Sequence, residues 1–213
     1  ALVGGETAEM PGFYADGEYD LAGFAVGVVE RDSIIDGSSI TVGNKLIGIA
    51  SNGLHSNGYS LARKVIFEIM GLQIDGVLPG FHTTVAEELL MPTRIYVKTV
   101  LNLLRDFKIN GIAHITGGGL LENIPRILPN GCKAIINKDS WETPPIFPLI
   151  QQGGNIDENE MFRTFNCGIG LVISVPEKEA EEVLIRLSGL NEQAYVIGEV
   201  AKCDVGGECV ELV

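Results

Sequence analysis

Three short runs of the chain join glycine to residues that can hold an anion, bind a cation or move a proton. In Gly4-Gly5-Glu6-Thr7-Ala8-Glu9-Met10-Pro11-Gly12, two carboxylates stand three positions apart behind a glycine pair. The glycines let a ligand approach the backbone, and Glu6 and Glu9 can both reach one divalent cation. A tight turn followed by solvated acids accounts for the same residues. The second run, Ser51-Asn52-Gly53-Leu54-His55-Ser56-Asn57-Gly58, repeats Ser-Asn-Gly. Its N–H groups and short polar side chains suit an anion at the start of a helix. His55 among them can donate to a phosphate or amide oxygen, or move a proton near neutral pH. A capped helix start with a solvent-facing histidine is the alternative. The third run is His114-Ile115-Thr116-Gly117-Gly118-Gly119. Three consecutive glycines are entropically costly, which tight backbone access to a ligand explains and a flexible connector also fits. In Thr164-Phe165-Asn166-Cys167-Gly168, Cys167 has no base beside it in sequence and reads as a small buried hydrophobe, while Asn166 can orient a polar substrate.

These runs need elements that bring them together. Ala1-Leu2-Val3 and residues 21–30 (LAGFAVGVVE) read as buried strands, the first like the middle of one whose beginning lies upstream. A polar, turn-rich stretch after Arg31 places a domain boundary near residue 36. From Lys45 the pattern alternates. Strands are expected over 45–51, 109–115, 132–137, 168–175, 193–200 and 208–212. Helices are expected over 59–70, 85–90, 92–104, 119–128, 148–152, 158–165 and 177–190, with Pro125 taken as part of a first helical turn. The sum is a mixed α/β (α+β) fold, a mixed sheet with packed helices. Strand ends that feed glycine loops tend to gather on one sheet edge, where ligands commonly bind.

Composition narrows the class. Of 213 residues, 46% are hydrophobic and 20% charged, which describes a globular protein and not a disordered tail. Lys and Arg number 15 against 28 Asp and Glu, a net charge of −13, which argues against a nucleic-acid surface. Backbone amides can still bind an anionic substrate. The longest apolar stretch, Leu21 to Val29, falls well short of the roughly 18 residues of a membrane span. Four cysteines without CxxC spacing read as free thiols in a reducing cytoplasm.

Taken together, GGETAEMPG, SNGLHSNGYSLARK, MPTRIYVK, AHITGGGLLENIPR and MFRTFNCGIG resemble the phosphoribosylformylglycinamidine cyclo-ligases, also called aminoimidazole ribonucleotide (AIR) synthetases. The blocks occur in order and span residues 1–170. The resemblance implies ATP-dependent closure of formylglycinamidine ribonucleotide (FGAM) to AIR, with release of ADP and phosphate, in purine synthesis. ATP would activate the formyl oxygen as a phosphate ester, and the amidine-side nitrogen would then attack that carbon. It further implies Mg²⁺, a homodimer in the intact family, and a cytoplasmic enzyme without nucleic-acid or membrane partners.

Carried over by residue, Gly5, Glu6 and Thr7 fall on the nucleotide side, with Glu6 and Glu9 toward the metal. His55 and Asn57 match the catalytic loop of the second domain. Ser56, Thr116, Gly117, Gly118 and Gly119 would hold substrate, with the ribose phosphate at the glycines. Residues 1–35 would be the remnant of an N-terminal ATP-binding domain and 36–213 an AIR-synthetase-like C-terminal domain. Such a chain is expected to be inactive alone. A non-catalytic nucleotide- or metabolite-binding module, or another ATP-using member of the superfamily, is the alternative.

Overall fold

The computed structural model describes residues 2–204 and 206–213, and it divides into two units, Ala1–Ile34 and Ile35–Val213. The expected opening strand falls partly on Ala1, which lies outside the described residues. Leu2, Val3 and residues 21–30 do not form strands, and the described part of this unit has only the short 3-10 turn Arg31–Ser33. Leu21, Phe24, Val26 and Val28 are exposed. A strand needs a neighbour to receive its N–H and C=O groups, and apolar alternation alone cannot supply one.

The second unit is built on one six-stranded sheet: β1 (Lys45–Ala50), β2 (Gly111–His114), β3 (Cys132–Ile136), β4 (Ile169–Val175), β5 (Ala194–Lys202) and β6 (Val210–Leu212). Their order is β2-β4-β1-β5-β3-β6, and only the β3–β6 pair is parallel. This is the mixed sheet with packed helices that the sequence leads one to expect. Its helices are α1 (Tyr59–Arg63), α2 (Val85–Leu89), α3 (Val97–Leu103), α4 (Gly119–Asn123), α5 (Ile146–Gly154), α6 (Glu158–Thr164) and α7 (Ala180–Gly189).

Strand alternation sends side chains to two cores. On one face Leu46, Ala113, Val172 and Ile197 meet Val65, Leu120, Phe147 and Phe162 from the helical layer containing α1, α4, α5 and α6. On the other, Ile47, Ile49, Leu171 and Ile173 meet Leu103 of α3 and Val183 and Leu187 of α7. β4 is covered on both faces, so all seven of its residues are buried, which is why IGLVISV reads as one apolar run.

Three helical expectations shift. The helix expected from Pro92 begins only at Val97, and residues 91–96 form an irregular strap whose polar groups serve a neighbouring loop. Around Pro125 the order is reversed. α4 ends at Asn123, and Pro125 sits in the 3-10 turn Ile124–Ile127 that follows, where its missing N–H costs nothing. The helix expected over 59–70 changes at Lys64 into a π-helical turn, Lys64–Ile69. Among the described residues no helix is long and apolar enough to cross a membrane.

Candidate functional site

β1 and β2 both run antiparallel to β4, so the ends of β1 and β2 lie beside the start of β4. Loops 51–58, 115–119 and 164–168 therefore share one sheet edge. The second and third glycine runs meet there: the nearest atom to a side chain placed on Gly117 would be Asn57 Oδ1, at 3.9 Å.

Each loop is held by a buried carboxamide. Asn166 donates from Nδ2 to Gly53 O at 2.8 Å, while its Oδ1 accepts from Ser51 Oγ and Gly168 N. Asn123 donates from Nδ2 toward Thr116 O, Gly117 O and Gly119 O. Neither residue is free to touch substrate. The expectation that Asn166 orients one gives way to a stapling role, because its polar atoms are consumed inside the fold. In sequence these asparagines look like loop residues, and only the fold shows which carbonyls they reach.

The three glycines of 117–119 differ in kind. Gly119 (φ +55°) would drive a methyl to 2.0 Å from Phe162 O. Gly118 (φ +98°) has the Glu122 side chain over it, 2.7 Å from where a Cβ would stand. Protein packing thus explains these two. Gly117 has neither a left-handed backbone nor a close neighbour, and it is exposed. Among the described residues, no acceptor takes up the Gly117 or Gly118 N–H. Thr116 Oγ1 lies 3.2 Å from Asn123 Oδ1.

Asn57 donates from Nδ2 to His55 O at 2.6 Å, which turns its Oδ1 toward Gly117. Ser56 is exposed, and its Oγ lies 3.2 Å from Thr93 Oγ1 on the strap. His55 and Ser56 have φ of 53° and 58°, two consecutive non-glycine residues in the left-handed region. Such strain persists only where the surroundings over-determine it.

The surroundings do so through the His55 ring, which is 2% exposed and turned beneath the loop. Nε2 lies 2.6 Å from Asn52 Oδ1, with the Asn52 and Arg94 main-chain N–H groups at 3.2 and 3.4 Å. Nδ1 is buried without a partner among the described residues. Burial, reinforced by His114 and Arg94, pushes the imidazolium pKa down to about 4. A lowered pKa of this kind weighs against a proton carrier near neutral pH, because desolvation disfavours the charged ring.

A stability prediction follows with definite sign. The unfolded ring binds its proton near 6.5 and the folded ring only near 4. Between those values the unfolded state holds more protons, so stability is fully present above about pH 6.5 and falls as pH drops toward 4. The loss amounts to roughly 3 kcal/mol and is expected to disappear in His55→Gln, as urea titrations across that range would show.

Tyr96 completes the base of the site. Its ring stands between His55 and His114, with centroids 6.1 and 6.2 Å away, and its hydroxyl donates to Ala50 O at 2.8 Å. Burial raises its pKa, so the phenol keeps its proton. Cys167 is buried, and desolvation pushes its thiol up to about 12, which makes it inert at neutral pH. Gly5, Glu6, Thr7 and Glu9 lie in exposed, irregular chain of the first unit. Among the described residues no three His, Cys, Asp or Glu side chains gather closely enough to hold a metal ion.

Comparison with known proteins follows the same lines. The family model "AIR synthase related protein, C-terminal domain" matches residues 41–208. Phosphoribosylformylglycinamidine cyclo-ligase of Geotalea uraniireducens is 76% identical over 213 residues, and that of Geobacter sulfurreducens 72%. Each alignment takes in 100% of this chain and 61% of the relative, so the chain spans about three-fifths of those proteins. A thiamine-monophosphate kinase from Stenotrophomonas maltophilia shares the fold, with TM-score 0.58 at 17% identity over 86% of this chain and 54% of that one. PurL of T. maritima complexed with FGAR does so with TM-score 0.52 at 15% identity, over 83% and 27%. With most of its length inside the matched domain, the chain belongs to the AIR synthase related protein family.

Proposed function

We propose that this chain is the substrate-side portion of a phosphoribosylformylglycinamidine cyclo-ligase, which closes FGAM to AIR while ATP is split to ADP and phosphate. The observation that carries the reading is the gap between Asn57 Oδ1 and Gly117, where the protein's own packing does not require a glycine. The Gly117 and Gly118 N–H groups have no acceptor among the described residues, which leaves them for an anionic ribose phosphate. Asn57 Oδ1 is an acceptor fixed in place, suited to a substrate N–H or O–H. Ser56 and Thr116 add hydroxyls on either side. Holding the reacting ends of one molecule in this way is where much of the rate of a ring closure arises. His55 serves this arrangement from below by fixing the loop that carries Asn57.

The same reading makes residues 1–35 the end of an ATP-binding domain and 36–213 a C-terminal domain. The exposed apolar residues of 21–29 support it, since they have the composition of strands that lack a sheet. Gly5, Glu6 and Thr7 would then face nucleotide, and Glu6 and Glu9 Mg²⁺. Two carboxylates fill only part of a magnesium shell, so the residues present do not make that site alone. A homodimer formed by the upstream half, in the cytoplasm, belongs to the same reading.

The test is AIR formation from FGAM and Mg·ATP by this chain mixed with the separately made upstream half. Product in the mixture and in neither half alone is the expected result. No product from folded, associated halves would overturn the reading. Gly117→Ala sharpens the test. The methyl meets nothing closer than 3.9 Å, so the denaturation midpoint should stay unchanged, while the KM for FGAM rises about tenfold or more. Unchanged kinetics would remove Gly117 from the substrate gap.

A further inference from the structure

The strap of residues 91–96 has no regular structure of its own, yet it meets the Asn57 loop at three residues. Asn52 Nδ2 donates to Pro92 O at 3.2 Å, Ser56 meets Thr93, and the Arg94 main chain approaches His55. Irregular backbone takes its position from side-chain tethers, and the strongest tether here is ionic. Arg94 Nη1 donates to Ala50 O at 3.3 Å, the last residue before the loop. Its Nη2 pairs with the Glu192 carboxylate, whose other oxygen accepts from Thr99 Oγ1 at 2.5 Å.

Glu192 is rooted in the same place. The next residue, Gln193, accepts the Ala50 N–H at 2.8 Å, so the anchor and the start of the loop share one strand edge. The Glu192 side chain is only 9% exposed, which sets this pair apart from the water-screened ion pairs elsewhere on the surface. The guanidinium is used as a fork, one nitrogen to a carbonyl and one to a carboxylate, and lysine cannot reproduce that.

We propose that Arg94 and Glu192 are positioning residues: their ion pair anchors the 91–96 strap, and the strap fixes the loop that presents Asn57 to Gly117. The inference rests on the substrate gap proposed above. Neither side chain reaches that gap, so the pair acts through the loop.

The test has one readout that needs no substrate. The chain has three histidines, so the titration of His55 can be followed by nitrogen-15 NMR, together with the Asn57 side-chain amide. Glu192→Gln keeps the shape and removes the charge; Arg94→Lys keeps the charge and removes the fork. Both variants, while still folded by circular dichroism, are expected to let His55 titrate closer to the ordinary histidine range and to broaden the Asn57 amide. Glu211→Gln, which breaks the Lys133–Glu211 pair at the opposite edge of the sheet, should leave both signals as in the parent. In the two-part mixture the same variants should raise the KM for FGAM by about tenfold or more and leave that for ATP within about twofold. Parent-like His55 and Asn57 signals, or shifted signals with unchanged KM, would overturn the proposal. Should the parent mixture make no AIR, the cyclo-ligase reading fails, and the His55 and Asn57 signals alone decide whether the pair positions the loop.

Discussion

Gly119→Ala is expected to remove a large part of the stability of the second unit. A methyl there would stand 2.0 Å from Phe162 O and 2.6 Å from Phe165 O, and these are main-chain atoms at the end of α6 that cannot rotate aside. The backbone at φ +55° adds the left-handed penalty that alanine carries and glycine escapes. Overpacking and strain together come to about 4 kcal/mol, against a usual total of roughly 5–15 kcal/mol. Urea denaturation of the variant beside Gly117→Ala checks this directly. Two glycines of one triplet should differ by nearly the whole of that amount. Equal midpoints would mean that α4 and α6 are not packed as described.

Gly170→Ala should be comparably severe and should reach the candidate site itself. Gly170 lies in β4, and an added methyl would come within 2.1 Å of Tyr96 Oη and 2.7 Å of His55 Cε1. Either the phenol leaves Ala50 O or the His55 ring is pushed out from under its loop. The expected cost is about 4 kcal/mol, from overpacking plus a lost buried hydrogen bond. Unlike Gly119→Ala, this variant should also move His55 toward the ordinary histidine pKa as the ring becomes wetter. A midpoint close to that of the parent would show that the site has room this structure denies it.

Much of the fold was legible in the sequence. β4 and the stretch before and after α7 are long, strongly patterned segments, and their identity survived to within a few residues. The strap did not, because Ile95, Val97, Val100, Leu101 and Leu104 keep helical spacing whether or not the first turn forms. What cancels that turn is the demand of His55, Asn52 and Ala50 for partners, which no local pattern records. Residues 21–30 failed for a related reason: strand propensity needs a neighbouring strand, and the described residues provide none. At the candidate site the sequence singled out loops that the fold brings to one sheet edge, but it could not divide their work. Gly117, Gly118 and Gly119 look alike until the atoms around each are seen. His55 gives no sign in the sequence that its ring is buried beneath the loop, and Arg94 and Glu192, 98 residues apart, carry no motif that joins them.

No two strands that follow one another in the chain are neighbours in the sheet. There is accordingly no hairpin from which the sheet could start. Lys45 must wait for Val175 on one side and Glu199 on the other before β1 has any partner. A ribosome releasing this chain from its N-terminus exposes β1, β2 and β3 with their edges open until β4 and β5 emerge. Such a topology favours slow folding, since every sheet contact closes a long loop. The nascent chain spends that interval as a set of unpaired apolar strands, the state most open to aggregation and most in need of a chaperone.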